Sequence, residues 1–207
     1  MSDGDRLIEI NARQLGIVTF VLASLAAPSV AFAHEAGDVA GGFLSGLAHP
    51  VFGPDHVVAM IAVGLWGGQL GKPAMWILPV TFPIVMAFGG MLGARGVPIP
   101  AVEIGIAVSA IVLGAMVTLA VKPSLWIAAV IVGMFAIFHG HAHGTELPES
   151  ATPLAYGAGF VISTGLLHAA GIVIGLLVYW PIGEKLVRLL GAVIAGVGAF
   201  YLFTHLG

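Results

Sequence analysis

The sequence predicts an all-α integral membrane protein. It is a six-transmembrane-helix bundle after a cleavable signal peptide, with the first helix interrupted at Pro50, Gly53 and Pro54. Three observations predict this. Of the 207 residues, 59% are hydrophobic and 8% are charged, with a mean hydropathy of +1.07, a composition suited to lipid. The apolar residues gather into six segments, at about 40–68, 73–94, 98–121, 124–143, 151–179 and 182–205, each long enough to span a bilayer. The intervals between segments each carry proline or glycine, the residues that end helices.

Residues 1–33 have the layout of a secretory signal. Arg6 and Arg13 supply a positive start, diluted by Asp3, Asp5 and Glu9. Leu15 to Ala27 is the apolar stretch, and Ala31-Phe32-Ala33 fits a small-x-small cleavage pattern. Cleavage leaves residues 34–207 as one six-helix domain that begins at His34, whose imidazole and free amine are both metal donors. The mature N-terminus then lies outside. Lys72, Lys122, Lys185 and Arg188 fall on the cytoplasmic side and only Arg95 falls outside, as the positive-inside rule requires. Glu35, Asp38, Glu146 and Glu149 fall on the outer side and would attract cations there.

The first apolar segment holds His49-Pro50-Val51-Phe52-Gly53-Pro54-Asp55-His56. Ionisable groups inside such a segment are costly and point to function. On an unbroken helix, His49 and His56 share a face but lie roughly 10 Å apart along the axis. One ion cannot be held across that gap by imidazoles that reach about 2 Å to a metal. Pro50, Gly53 and Pro54 are residues that kink or unwind a helix, so the spacing predicts a break that folds His49 back toward Asp55 and His56.

Segments two and three carry no comparable cluster. Glu103, early in the third, is either a proton-coupled carboxylate or, the favoured reading, an interfacial one. The fourth ends in Phe138-His139-Gly140-His141-Ala142-His143-Gly144-Thr145-Glu146. His139, His143 and Glu146 sit at i, i+4 and i+7 and share one helical face. His141 points elsewhere and is a weaker candidate, fitting an entrance position. Segment five contains His168, one turn after Ser163 and Thr164, which is either an inner ligand or a packed, hydrogen-bonded histidine. Segment six ends at His205, read as solvated. Trp66, Trp76, Trp126 and Trp180 all fall near segment ends and read as interfacial. The 30 glycines lie mostly inside the predicted helices, which fits close helix approach in lipid.

Composition also excludes. With no cysteine there is no disulfide, iron–sulfur or thiolate site. A net charge of −3 with seven Lys plus Arg argues against nucleic acid. No Walker A sequence is present, so the chain does not hydrolyse ATP. Imidazole nitrogen combined with carboxylate oxygen suits divalent Ni, Co and Zn.

The pattern His49-Pro50-x-x-Gly53-x-Asp55-His56, followed by Met60 and Val63-Gly64, resembles the first signature of the HupE/UreJ family of nickel and cobalt permeases. Phe138-His139-Gly140-x-Ala142-His143-Gly144-x-Glu146 resembles its second, and the likeness covers essentially the whole mature chain. His141 stands at a variable position and Pro54 directly before the aspartate, and neither breaks the pattern. The resemblance implies a non-enzymatic secondary transporter in the bacterial inner membrane. It would carry Ni(II) or Co(II) inward for hydrogenase or urease maturation and keep no permanently bound cofactor. It implies metal handling by His49, Asp55, His56, His139, His143 and Glu146, with His34, His141 and His168 as weaker positions. Its implied partners are the bilayer and the ion, with a cytoplasmic metallochaperone and self-association left open. Two other classes compete. An intramembrane zinc-dependent hydrolase would use the same donors to activate water, but no HExxH or GxSxG sequence is present. A haem-binding cytochrome subunit would use paired axial histidines.

Overall fold

A computed structural model of the protein describes residues 38–147 and 152–207, and those residues are helical with no strand among them. The signal reading and His34 lie outside the described residues. Seven α-helices follow in order: α1 (Asp38–Phe52), α2 (Pro54–Leu70), α3 (Ala74–Ala94), α4 (Val102–Thr118), α5 (Leu125–Thr145), α6 (Pro153–Gly175) and α7 (Pro181–Leu206). A 3-10 turn, Leu176–Tyr179, extends α6.

Helices α3 and α5 each have 21 residues, α6 with its 3-10 extension 27 and α7 26. At about 1.5 Å per residue, 21 residues cover roughly 30 Å, the thickness of the hydrocarbon core. These four are long and apolar enough to cross a membrane, and a fifth span results if α1 and α2 count as one broken helix. The apolar stretch expected over 98–121 contains α4, a shorter helix of 17 residues. Large apolar side chains such as Ile84, Trp126, Val130, Leu166 and Phe203 stand exposed on the outside of the bundle, as a lipid-facing surface requires. The protein is a multi-pass membrane protein.

Helices α1 and α2 meet at an angle of 83°. The chain turns at Gly53, which is in extended conformation, while Pro54 opens α2, where its missing N–H costs nothing. Pro50 lies inside α1.

The most extensive packing is α3 on α5, α4 on α7, and both α1 and α2 on α6. Glycine permits it. A Cβ at Gly140 or Gly144 of α5 would strike the backbone of α3 at Met86 or Gly90. Without hydrophobic drive between helices in lipid, this close van der Waals contact holds the bundle together. The core holds Met60, Leu65, Leu78, Phe82, Leu113 and Val132, all at 3% exposure or less.

Trp66 is a correction. Instead of lying at an interface it is fully buried, and its indole N–H donates to the Val121 carbonyl at 3.0 Å. It belongs to a set of side chains that donate to carbonyls at and just past the C-terminal end of α4. Gln69 donates to Val117 at 3.1 Å and Arg188 to Thr118 at 2.8 Å. Trp76, Trp126 and Trp180 are exposed.

Candidate metal centre

The bend at Gly53 determines which side chains meet. His49, at the end of α1, and His56, in the first turn of α2, both turn toward His143 near the end of α5. Their ring centroids lie 4.8 Å and 4.4 Å from that of His143. A straight helix would separate His49 and His56 by roughly two turns and allow only one of them this contact.

At the mouth, the Nε2–H of His49 donates to Glu146 Oε2 at 3.0 Å, and His143 Nδ1 lies 3.9 Å from the same oxygen. One donor atom from each of His49, His143 and Glu146 lies within 4.8 Å of the others. Among the described residues this is the one such group of His and acidic donors. Glu146 is 54% exposed at its side chain and His143 7%, so the group faces the surroundings on one side and the bundle interior on the other. Tyr156 and Phe160 of α6 form its wall, with ring centroids 5.8 Å and 6.3 Å from His49. Phe160 also packs against His143 at 4.2 Å. The Tyr156 hydroxyl is buried without a hydrogen-bond partner.

Deeper in, hydrogen bonds orient two imidazoles. The Nδ1–H of His56 donates to Asp55 Oδ1 at 3.0 Å, which leaves Nε2 with its lone pair. The Ser109 hydroxyl donates to the Ile106 carbonyl at 2.6 Å and therefore accepts from His139 Nε2–H at 2.9 Å. His139 Nδ1 then carries the lone pair. His56 and His139 face each other with centroids 4.9 Å apart. His56 Nε2, His139 Nδ1 and both nitrogens of His143 are buried without a hydrogen-bond partner. Leaving a buried polar atom unpaired costs about 1–3 kcal/mol. Fixing one ring nitrogen so that the other offers its lone pair is how proteins prepare histidine for a cation.

The structure thus brings His49, Asp55, His56, His139, His143 and Glu146 into one connected cluster between α1, α2 and α5. It does not bring in His141. That side chain turns to the opposite side of α5, where Nε2–H donates to the Val97 carbonyl of the α3–α4 connection at 2.7 Å. His168 is linked to the cluster through Phe82, whose ring lies 5.2 Å from His168 and 5.4 Å from His139. Sequence reasoning missed Ser109, Tyr156 and Phe160. Ser109 is a lone hydroxyl in an apolar helix and carries no local signal. The spacing of Tyr156 and Phe160, one helical turn apart and one turn before Thr164, could have marked a lining face.

A family model described as "HupE / UreJ protein" matches residues 22–201. Protein HupE of Rhizobium leguminosarum bv. viciae is 45% identical over 185 residues, covering 89% of this chain and 96% of that protein. No solved structure matches the chain. With that coverage and identity, the chain belongs to the HupE/UreJ family.

Proposed function

We propose that this HupE/UreJ protein is a secondary permease that moves a divalent transition-metal ion, Ni(II) or Co(II), into the cytoplasm for hydrogenase or urease maturation. One observation carries the reading: donors of His49, His143 and Glu146 converge at the exposed end of the cluster, beside buried imidazoles with free lone pairs. Two imidazoles and a carboxylate bind borderline divalent ions while leaving coordination positions open for water. Such a set holds an ion firmly enough to take it up and loosely enough to pass it on. From the mouth, His143 hands the ion to His56 and His139, whose lone pairs Asp55 and Ser109 keep available. The acidic outer residues concentrate cations at the entrance.

The same reading takes the six apolar segments as six spans, with α1 and α2 as one interrupted span and α4 as a short one. It places the protein in the bacterial inner membrane with its mature N-terminus on the periplasmic side. It is not an enzyme, and family membership does not favour the zinc-hydrolase alternative. The test is Ni(II) accumulation by cells producing the wild type, His56→Ala or His143→Ala at equal membrane levels. Uptake should fall at least tenfold in both variants. Equal uptake in all three removes the proposal.

A further inference from the structure

Beyond the outer cluster, α6 carries a polar pair that the cluster does not use. We infer that His168, Thr164 and the Pro79 carbonyl form a second, inner cation station on the same path. The inference rests on the permease reading and extends it inward.

Tyr156, Phe160, Thr164 and His168 recur every four residues and so line one face of α6. The first two wall the outer cluster. His168 lies eight residues beyond Phe160, roughly 12 Å further along the helix axis. The face therefore runs from the mouth toward the bundle interior and ends on an imidazole.

That imidazole is 1% exposed and Thr164 is fully buried. Neither ring nitrogen of His168 and no atom of the Thr164 hydroxyl forms a hydrogen bond, although both side chains sit among groups where apolar residues would pack at no polar cost. A third donor lies beside the His168 ring on α3. Pro83 has no N–H to give the carbonyl of Pro79 four residues earlier, so that carbonyl lacks its helical bond. It lies near the His168 ring without making a hydrogen bond to either nitrogen. An imidazole nitrogen, a hydroxyl and a backbone carbonyl make a neutral, oxygen-rich set. It suits a partly hydrated divalent ion held briefly and would hold it less tightly than the charged mouth. Phe82 packs against both His139 and His168, which puts this station one side chain beyond the outer cluster.

The experiment uses the full chain in proteoliposomes loaded with a fluorescent Ni(II) chelator, with equilibrium Ni(II) binding measured on the same protein in detergent. His168→Leu and Thr164→Val remove the donors at nearly constant volume and should leave the melting temperature unchanged or higher. For His168→Leu the maximal uptake rate should fall at least tenfold. For Thr164→Val it should fall at least threefold. KM and the detergent binding constant should stay within twofold of wild type, because the mouth is intact. A rate within twofold of wild type for His168→Leu overturns the inner station and leaves the permease reading standing. Weakened binding in step with the slowed uptake also overturns it, since His168 would then be supporting the mouth. Wild-type vesicles that accumulate no Ni(II) remove the permease reading itself, and the station with it. Should His168→Leu fail to fold, Thr164→Val decides by the same criteria.

Discussion

Ser109→Ala isolates the orientation of one imidazole from the presence of any donor. Ser109 is fully buried and its hydroxyl bonds Ile106 and His139, so alanine opens only a hydroxyl-sized gap. The Ile106 carbonyl loses its side-chain partner at little cost, because it remains within the α4 backbone ladder. The Nε2–H of His139 loses its acceptor in a site of 0% exposure. Left unpaired, it costs about 1–3 kcal/mol of stability. If instead the proton moves to Nδ1, the lone pair now offered to the ion is blocked and must be restored before coordination. That costs about the same amount, and at 1.4 kcal/mol per tenfold it weakens binding roughly 5- to 150-fold. The range overlaps the roughly 10- to 100-fold loss typical of removing the partner that orients a metal-binding histidine. The assay is Ni(II) uptake in cells at matched membrane levels, with binding and thermal melting on the purified protein. Uptake and affinity should both fall about tenfold or more in a folded protein. A folded Ser109→Ala with uptake and affinity within twofold of wild type would refute the claim that an oriented His139 lies on the path.

Three further outcomes follow from the same geometry. Glu146→Gln keeps an acceptor for His49 but removes the carboxylate charge, so Ni(II) affinity should drop at least tenfold. The melting point should hardly move, because an exposed pair contributes about 0–1 kcal/mol. Gly140→Ala places a Cβ against the Met86 carbonyl and forces α3 and α5 apart, so stability should fall by about 1–3 kcal/mol in a denaturant or thermal melt, with uptake falling alongside. His141→Ala removes the bond to Val97 on the far side of α5. It should cost about 1 kcal/mol of stability while Ni(II) affinity stays within twofold.

The fold class was legible because lipid imposes its pattern on composition. Long apolar runs broken by proline and glycine leave helices as the solution for a chain without the alternation of a barrel. The separation of His141 from His139 and His143 was legible from helical phase alone. So was the inability of a straight helix to use both His49 and His56. What the sequence concealed depends on which helices touch. No local pattern says that α6 packs on both α1 and α2, so Tyr156 and Phe160 could not be placed beside His49. Ser109 is hidden for the same reason, since its role depends on α4 approaching α5 30 positions later in the chain. Trp66 was misread because proximity to a segment end does not distinguish a residue facing lipid from one facing the core. The free carbonyls past α4 draw it inward.

The cluster is costly as architecture, and that cost bears on function. Around His143 and inward to His168, six imidazole nitrogens and the Thr164 hydroxyl are buried without partners. At about 1–3 kcal/mol each, this rivals the net stability of a whole domain. A bundle selected only for stability would fill these positions with leucine or phenylalanine. Close glycine packing between α3 and α5 and between α2 and α6 offsets the loss, because it is made by backbone contact and does not depend on the donor side chains being satisfied. Stability and ion handling therefore reside on different faces of the same helices. Apolar replacement of a donor should raise the melting temperature while it stops the cation, whereas alanine at a packing glycine should lower stability and uptake together.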